Sequence, residues 1–160
     1  MSPTIKDDYN AQRSAALTGM DSGDIVVFSA GSSVGSRALT SDVISKLGAP
    51  GVLTHGISIK PGKPTIIGLI DSKPIFGLPG NPVSAMIAFD LVVRPTIHVI
   101  SGCSQPVCRP TTTARLLQNI ASAPGREDYV QIKLVTIEGE LCAKPIFGKS
   151  NLIHTLVRSD

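Results

Sequence analysis

Phe76-Gly77-Leu78-Pro79-Gly80-Asn81-Pro82-Val83-Ser84 is the stretch around which the rest of the chain is read. The run from Lys73 to Leu78 predicts a short buried strand, and Pro79-Gly80-Asn81-Pro82 breaks the backbone into a tight turn. A helix follows at once. Asn81 suits the N-cap, Pro82 suits the first turn, where its missing N–H costs nothing, and Ser84 to Phe89 continues as an apolar helix. Free amides and the positive end of a helix dipole then face the turn, an arrangement that accepts an oxyanion. An ordinary strand-to-helix turn of an α/β protein fits the same spacing.

Outward from this stretch, Thr65 to Ile70 predicts a strand joined to Lys73–Leu78 by the turn Asp71-Ser72, forming a hairpin. Before it, Val52 to Ile59 predicts another strand, which delivers Lys60-Pro61-Gly62-Lys63-Pro64. The prolines and glycine forbid regular structure there and hold two lysines on a stiff turn. Held rigidly beside a helix N-terminus, two such cations converge on one tetrahedral anion; a solvated basic turn is the plainer reading. His55, on an otherwise apolar strand, reads as a core or rim residue rather than a base.

Nearer the start, Asp7 or Asp8 caps a helix over Ala11–Met20. Adjacent aspartates at a helix start serve most often as cap and dipole partner, and they also suit a magnesium ion beside a phosphate. Asp24 to Ser29 has the continuous apolar pattern of a strand buried on both faces of a parallel sheet. It runs into Ala30-Gly31-Ser32-Ser33-Val34-Gly35, whose glycines and hydroxyls form a second candidate phosphate cradle. A helix from Thr40 to Leu47 follows, capped by Thr40 or Ser41 and closed by Gly48. Downstream, the helix from Pro82 runs past a kink at Pro95 towards Val99, and Ser101-Gly102 ends it. Beyond a linker with Pro106 and Pro110, Thr111–Leu117, Tyr129–Ile137 and Glu140–Ile146 predict a small all-β module. Its conspicuous polar cluster is Gly125-Arg126-Glu127-Asp128, and a final apolar stretch covers Leu152–Val157.

With 160 residues the chain holds one domain with a real core, or one and a half small ones. Met1-Ser2-Pro3-Thr4 leads into Lys6-Asp7-Asp8 without the apolar core of a signal peptide, and no run approaches the roughly 18–20 apolar residues of a membrane span. A soluble cytoplasmic protein is the expectation. The net charge of +3 is too small and its cations too scattered for a nucleic-acid surface, and without Trp a base-stacking platform is missing. Cys103, Cys108 and Cys142 lack zinc spacing and read as reduced, packed thiols.

Together these motifs resemble the carboxyl half of the MoeA family, the molybdopterin molybdenumtransferases, which includes the gephyrin E domain. The most specific matches are Gly77-Leu78-Pro79-Gly80-Asn81-Pro82-Val83-Ser84 and the run from His55 to Pro64, supported by Asp7-Asp8, Gly31 to Gly35 and Gly125-Arg126. The resemblance implies an α/β fold: a partial three-layer MogA-like, molybdopterin-binding domain over residues 1–102, a linker over 103–110, and a truncated β-barrel module over 111–160. It implies insertion of molybdate into adenylylated molybdopterin with magnesium-dependent release of AMP. Molybdate would lie among Lys60, Lys63, Pro64, Ser84 and Arg126; Gly31, Ser32, Ser33, Gly35, Gly80 and Asn81 would take the pterin or its phosphates; Asp7 and Asp8 would be catalytic and hold the magnesium. A homodimer is implied, with a MogA-like protein as a further partner. One family carboxylate, three residues beyond Gly35, is replaced by Ala38, and the family's preceding subdomains are missing. A fragment or degenerate copy is therefore expected, active as an enzyme or serving as a non-catalytic oxyanion-binding or scaffolding module.

Overall fold

The computed structural model describes residues 4–29, 34–105 and 108–146. The expected final apolar stretch and Gly31, Ser32 and Ser33 lie outside them. Asp8 caps α1 (Tyr9–Ser22) by accepting the Ala11 amide at 2.9 Å. β1 (Val26–Ser29) and α2 (Val34–Ser45) follow. α2 thus begins well before the expected cap: Thr40 is an interior, buried helix residue, because its hydroxyl is used in a tertiary hydrogen bond rather than on a helix end. The predicted strand from Val52 to Ile59 is two strands, β2 (Pro50–His55) and β3 (Ile59–Lys60), separated at Gly56, whose φ of 102° is open to glycine alone.

β4 (Ile66–Ile70) and β5 (Lys73–Leu78) form the expected hairpin, its turn residues Asp71 and Ser72 both at positive φ. The sheet runs β1-β5-β4-β2, and it is mixed, with β1 parallel to β5 and the other pairs antiparallel. β5 is the strand buried on both faces: Ile75, Phe76, Gly77 and Leu78 are all buried. β1 corrects the expectation of full burial. Its burial alternates, and Val27 is 40% exposed, because among the described residues β5 is its one neighbour in the sheet order.

Strand alternation then sorts the core into two layers. Ile66, Ile70 and Ile75 pack with Ala16 of α1 and Ile44 of α2 on one face. Phe76 and Leu78 pack with Ala88 and Val93 on the other. Pro82 opens α3 (Pro82–Ala88) behind Asn81, as the sequence predicts. The helix continues through a π-helical turn (Phe89–Val93) into α4 (Arg94–Ile100), so the irregularity lies just ahead of Pro95, and Gly102 at φ 79° ends it. That continuity makes Pro82–Ile100 a segment of 19 residues with mean hydropathy 1.6, long and apolar enough to cross a membrane by length and composition, which the residue-by-residue reading missed. Of this segment Val83, Ala88 and Val93 are buried, and Ala88 and Val93 pack against Phe76 and Leu78 of β5, while Met86, Phe89, Ile97, Val99 and Ile100 are exposed.

The second unit contains β6 (Arg115–Leu116), β7 (Glu127–Asp128), β8 (Ile132–Ile137) and β9 (Glu140–Pro145). β8 and β9 form a hairpin through Glu138-Gly139, β6 adds to β9, and this sheet is not closed into a barrel among the described residues. β7 pairs instead with β3 of the first unit. The linker is pinned as well, since Arg109 donates to the Asp90 carbonyl and stands 3.1 Å from its carboxylate. All three cysteines are free, but only Cys142 is packed; Cys103 and Cys108 are exposed because they lie in the linker rather than in a core.

Candidate oxyanion site

The Lys60-to-Pro64 turn is built from its ends inward. Ile57 donates its amide to the Lys63 carbonyl at 2.9 Å, and Thr65 donates both its amide and its hydroxyl to the Gly62 carbonyl, at 3.2 and 2.7 Å. The hydroxyl of Thr65 is fully buried, so the loop is tied to the floor of the fold while Lys60 and Lys63 stay exposed. Gly62 adopts φ 118°, and a Cβ there would lie 2.6 Å from Ile59 Cδ1 and 3.6 Å from the Ser84 carbonyl oxygen. Glycine is what lets the lysine turn rest against the first turn of α3. Ser84 is buried at that point, and Gly80 and Asn81 flank it, half-buried.

The second unit reaches the same place through β7. Glu127 donates its amide to the Ser58 carbonyl (2.8 Å) and Tyr129 to the Lys60 carbonyl (2.7 Å), setting Lys60 opposite Asp128 in a parallel register. Arg126 precedes this pair and donates from Nε to Asp128 Oδ1 at 2.9 Å. The structure therefore lays the Lys60–Pro64 turn against the Ser84 carbonyl on one side and sets Lys60 opposite Asp128, the carboxylate that Arg126 bonds, on the other. From sequence, Arg126 stood out in a polar cluster that read equally as a surface turn or as an arginine pointing back at the first unit, and the resemblance assigned it to the anion. No local signal announces a two-residue strand.

Asp7 and Asp8 lie at the start of α1. Both are exposed, Asp8 is committed to the α1 cap, and Asp7 accepts from Gln12 Nε2 at 3.4 Å. Gln12 is buried, and its Oε1 accepts the Thr40 hydroxyl at 3.2 Å. The Thr40 methyl lies 3.4 Å from where a Gly77 Cβ would stand, so this relay links the acidic pair to the end of β5 that leads into Pro79-Gly80. Gln12 and Thr40 were not singled out from sequence, because a Gln on a helix and a Thr before a Ser carry no signal until the helices pack. Gly35 is exposed with open space where a side chain would project.

Among the described residues no group of three or more His, Cys, Asp or Glu side chains is gathered to hold a metal ion. Magnesium usually keeps several waters and binds through one or two carboxylates plus substrate phosphates, so exposed Asp7 and Asp8, of which Asp8 also caps α1, are the residues that would hold such an ion. An apolar groove of about 360 Å³ between Leu53, Ile67, Leu69, Phe76 and Val92 opens elsewhere, and no residue of the anion cluster lines it.

Residues 2–99 match the family model of the probable molybdopterin binding domain, and residues 113–160 match that of the MoeA C-terminal region, domain IV. The chain belongs to the MoeA family. A molybdopterin biosynthesis protein of Methanocaldococcus jannaschii is 34% identical over 157 residues, 98% of this MoeA-family chain and 35% of the relative. The molybdopterin molybdenumtransferase of Haemophilus influenzae is 33% identical over 148 residues, 91% of this chain and 36% of that one. The crystal structure of the MoeA molybdopterin biosynthesis protein from Pyrococcus horikosii matches with a TM-score of 0.76 and 35% identity, over 98% of this chain and 36% of the other. The chain thus spans roughly a third of the length of these MoeA-type relatives.

Proposed function

We propose that this chain is the molybdate- and pterin-binding part of a molybdopterin molybdenumtransferase, which inserts molybdate into adenylylated molybdopterin and releases AMP. The observation that carries the reading is the β3–β7 pairing, which sets Lys60 opposite Asp128, the carboxylate to which Arg126 is bonded, from units far apart in sequence. Molybdate, as substrate, is a tetrahedral dianion. Lys60, Lys63 and Arg126 offset its charge, and Ser84 and the start of α3 supply donors. Gly31 to Gly35 together with Gly80 and Asn81 receive the pterin and its phosphates. Asp7 and Asp8 would share the magnesium, which when bound neutralises charge on the diphosphate and leaving phosphate. The Gln12–Thr40 relay orients Asp7 for that task.

The same reading places the protein in the cytoplasm as a homodimer, with a MogA-like protein as a further partner. Exposed Leu53, Met86 and Val99 support apolar association with a second copy. One observation favours a second reading, a non-catalytic oxyanion-binding scaffold: position 38, exposed on α2, is alanine where the family pattern has a carboxylate. Turnover restored by Ala38→Asp assigns the loss of activity to that one group.

Calorimetry at low ionic strength with molybdate and tungstate tests the first reading. Wild-type chain is expected to bind saturably, and a Lys60→Ala, Lys63→Ala double variant to bind at least about tenfold more weakly, ~1.4 kcal/mol. A folded wild-type chain that binds neither anion removes the transferase reading.

A further inference from the structure

One carboxylate stands inside the cationic cluster. Asp128 is 8% exposed at its side chain, whereas its partner Arg126 is 37% exposed. Alternation along β7 puts Arg126 and Asp128 on one face and Glu127 and Tyr129 on the other. The hydrogen bonds follow that division, for the Tyr129 hydroxyl donates to Glu127 at 2.7 Å while Arg126 donates to Asp128 at 2.9 Å. Glu127 is thereby turned away, and Asp128 is the acid that faces Lys60 and Arg126. Burial works against the charge of Asp128. Hydrogen bonds from Ser122 and Arg126, with the positive charges of Arg126 and Lys60, outweigh it and hold the carboxyl below its ordinary range.

We propose that Asp128 is the built-in counter-ion of the oxyanion site, a specificity-determining residue that lowers the site's charge so that it matches a dianion. The inference rests on the oxyanion reading of Lys60, Lys63 and Arg126. Three cations alone favour anions of higher charge. With Asp128 among them the net charge is that of two cations, which a tetrahedral dianion such as molybdate neutralises, while a trianion leaves excess negative charge.

The test is calorimetry of molybdate and of inorganic diphosphate, trivalent near neutral pH, against the wild-type chain, Asp128→Asn, Asp128→Ser and Ser122→Ala, with thermal melts confirming that each is folded. Removing one negative charge a few ångströms from the anion is expected to tighten molybdate about tenfold and diphosphate by more, in whichever Asp128 variant folds. Ser122→Ala removes a hydrogen-bond partner but no charge, and is expected to leave both affinities unchanged. If wild type binds and the Asp128 variants bind equally or more weakly, the counter-ion role is overturned while the oxyanion site stands. If Ser122→Ala tightens binding as much as Asp128→Asn, loosening of the β7 turn replaces charge as the cause and the proposal falls. Binding by neither wild type nor the Asp128 variants overturns both readings. Binding gained only on removal of Asp128 supports the counter-ion role and removes oxyanion binding from the native chain.

Discussion

Ile75→Ala is expected to remove about 3–5 kcal/mol of folding free energy, read as a drop in the midpoint of chemical denaturation. Ile75 is fully buried on the central strand β5 and packs with Ile44, Ile66, Ile70 and Ala16 between the sheet and the two helices before it. Four residues from three other elements line the space the side chain would vacate, so the hole does not collapse without moving the sheet against α1 and α2. For a domain whose total stability is on the order of 10 kcal/mol, that is a large share. A loss under about 1 kcal/mol would mean that this face of the sheet is not packed as described.

Gly68→Val acts in the opposite sense, by overfilling, and is expected to cost about 3 kcal/mol. A Cβ at Gly68 would lie 2.9 Å from both Ile44 Cγ2 and Ile75 Cγ2 and 3.0 Å from the Gly51 carbonyl oxygen. The two methyls have some freedom to turn. The carbonyl does not, because Gly51 sits at φ 83° beside the register shift between Val52 and Thr54, where β2 bends towards β4. Thermal unfolding of Gly68→Ala beside Gly68→Val separates the two contributions: a graded loss is the expected pattern, and a valine variant as stable as wild type would contradict the close approach of β2.

What sequence alone disclosed, and what it did not, divides along the range of the interactions involved. The β5–turn–α3 unit was legible because Pro79, Gly80, Asn81 and Pro82 restrict their own backbones and leave few alternatives. The β4–β5 and β8–β9 hairpins were legible for the same local reason. The start of α2 was not: Thr40 looks like a cap, yet packing against Gln12 and Gly77 uses it in the helix interior. The break between β2 and β3 depends on Gly56 donating its amide to the Thr65 carbonyl, a contact set by the fold rather than by its neighbours in sequence. For the site, both lysines and Ser84 announced themselves through their turn and helix. The partner strand did not, because β7 has two residues and no amphipathic period; Arg126 stood out only as part of a polar cluster, and the family resemblance gave it its role.

That short parallel ladder also ties ligand readiness to the timing of assembly. Lys60 and Asp128 meet only after a long intervening segment has folded, so the contact closes a large loop and falls late in any folding sequence. The amides of Glu127 and Tyr129, bonded to Ser58 and Lys60, exchange with solvent only when the two units part. Their exchange rates are therefore a clock for how often the cationic cluster comes apart in the native protein, readable without any substrate present.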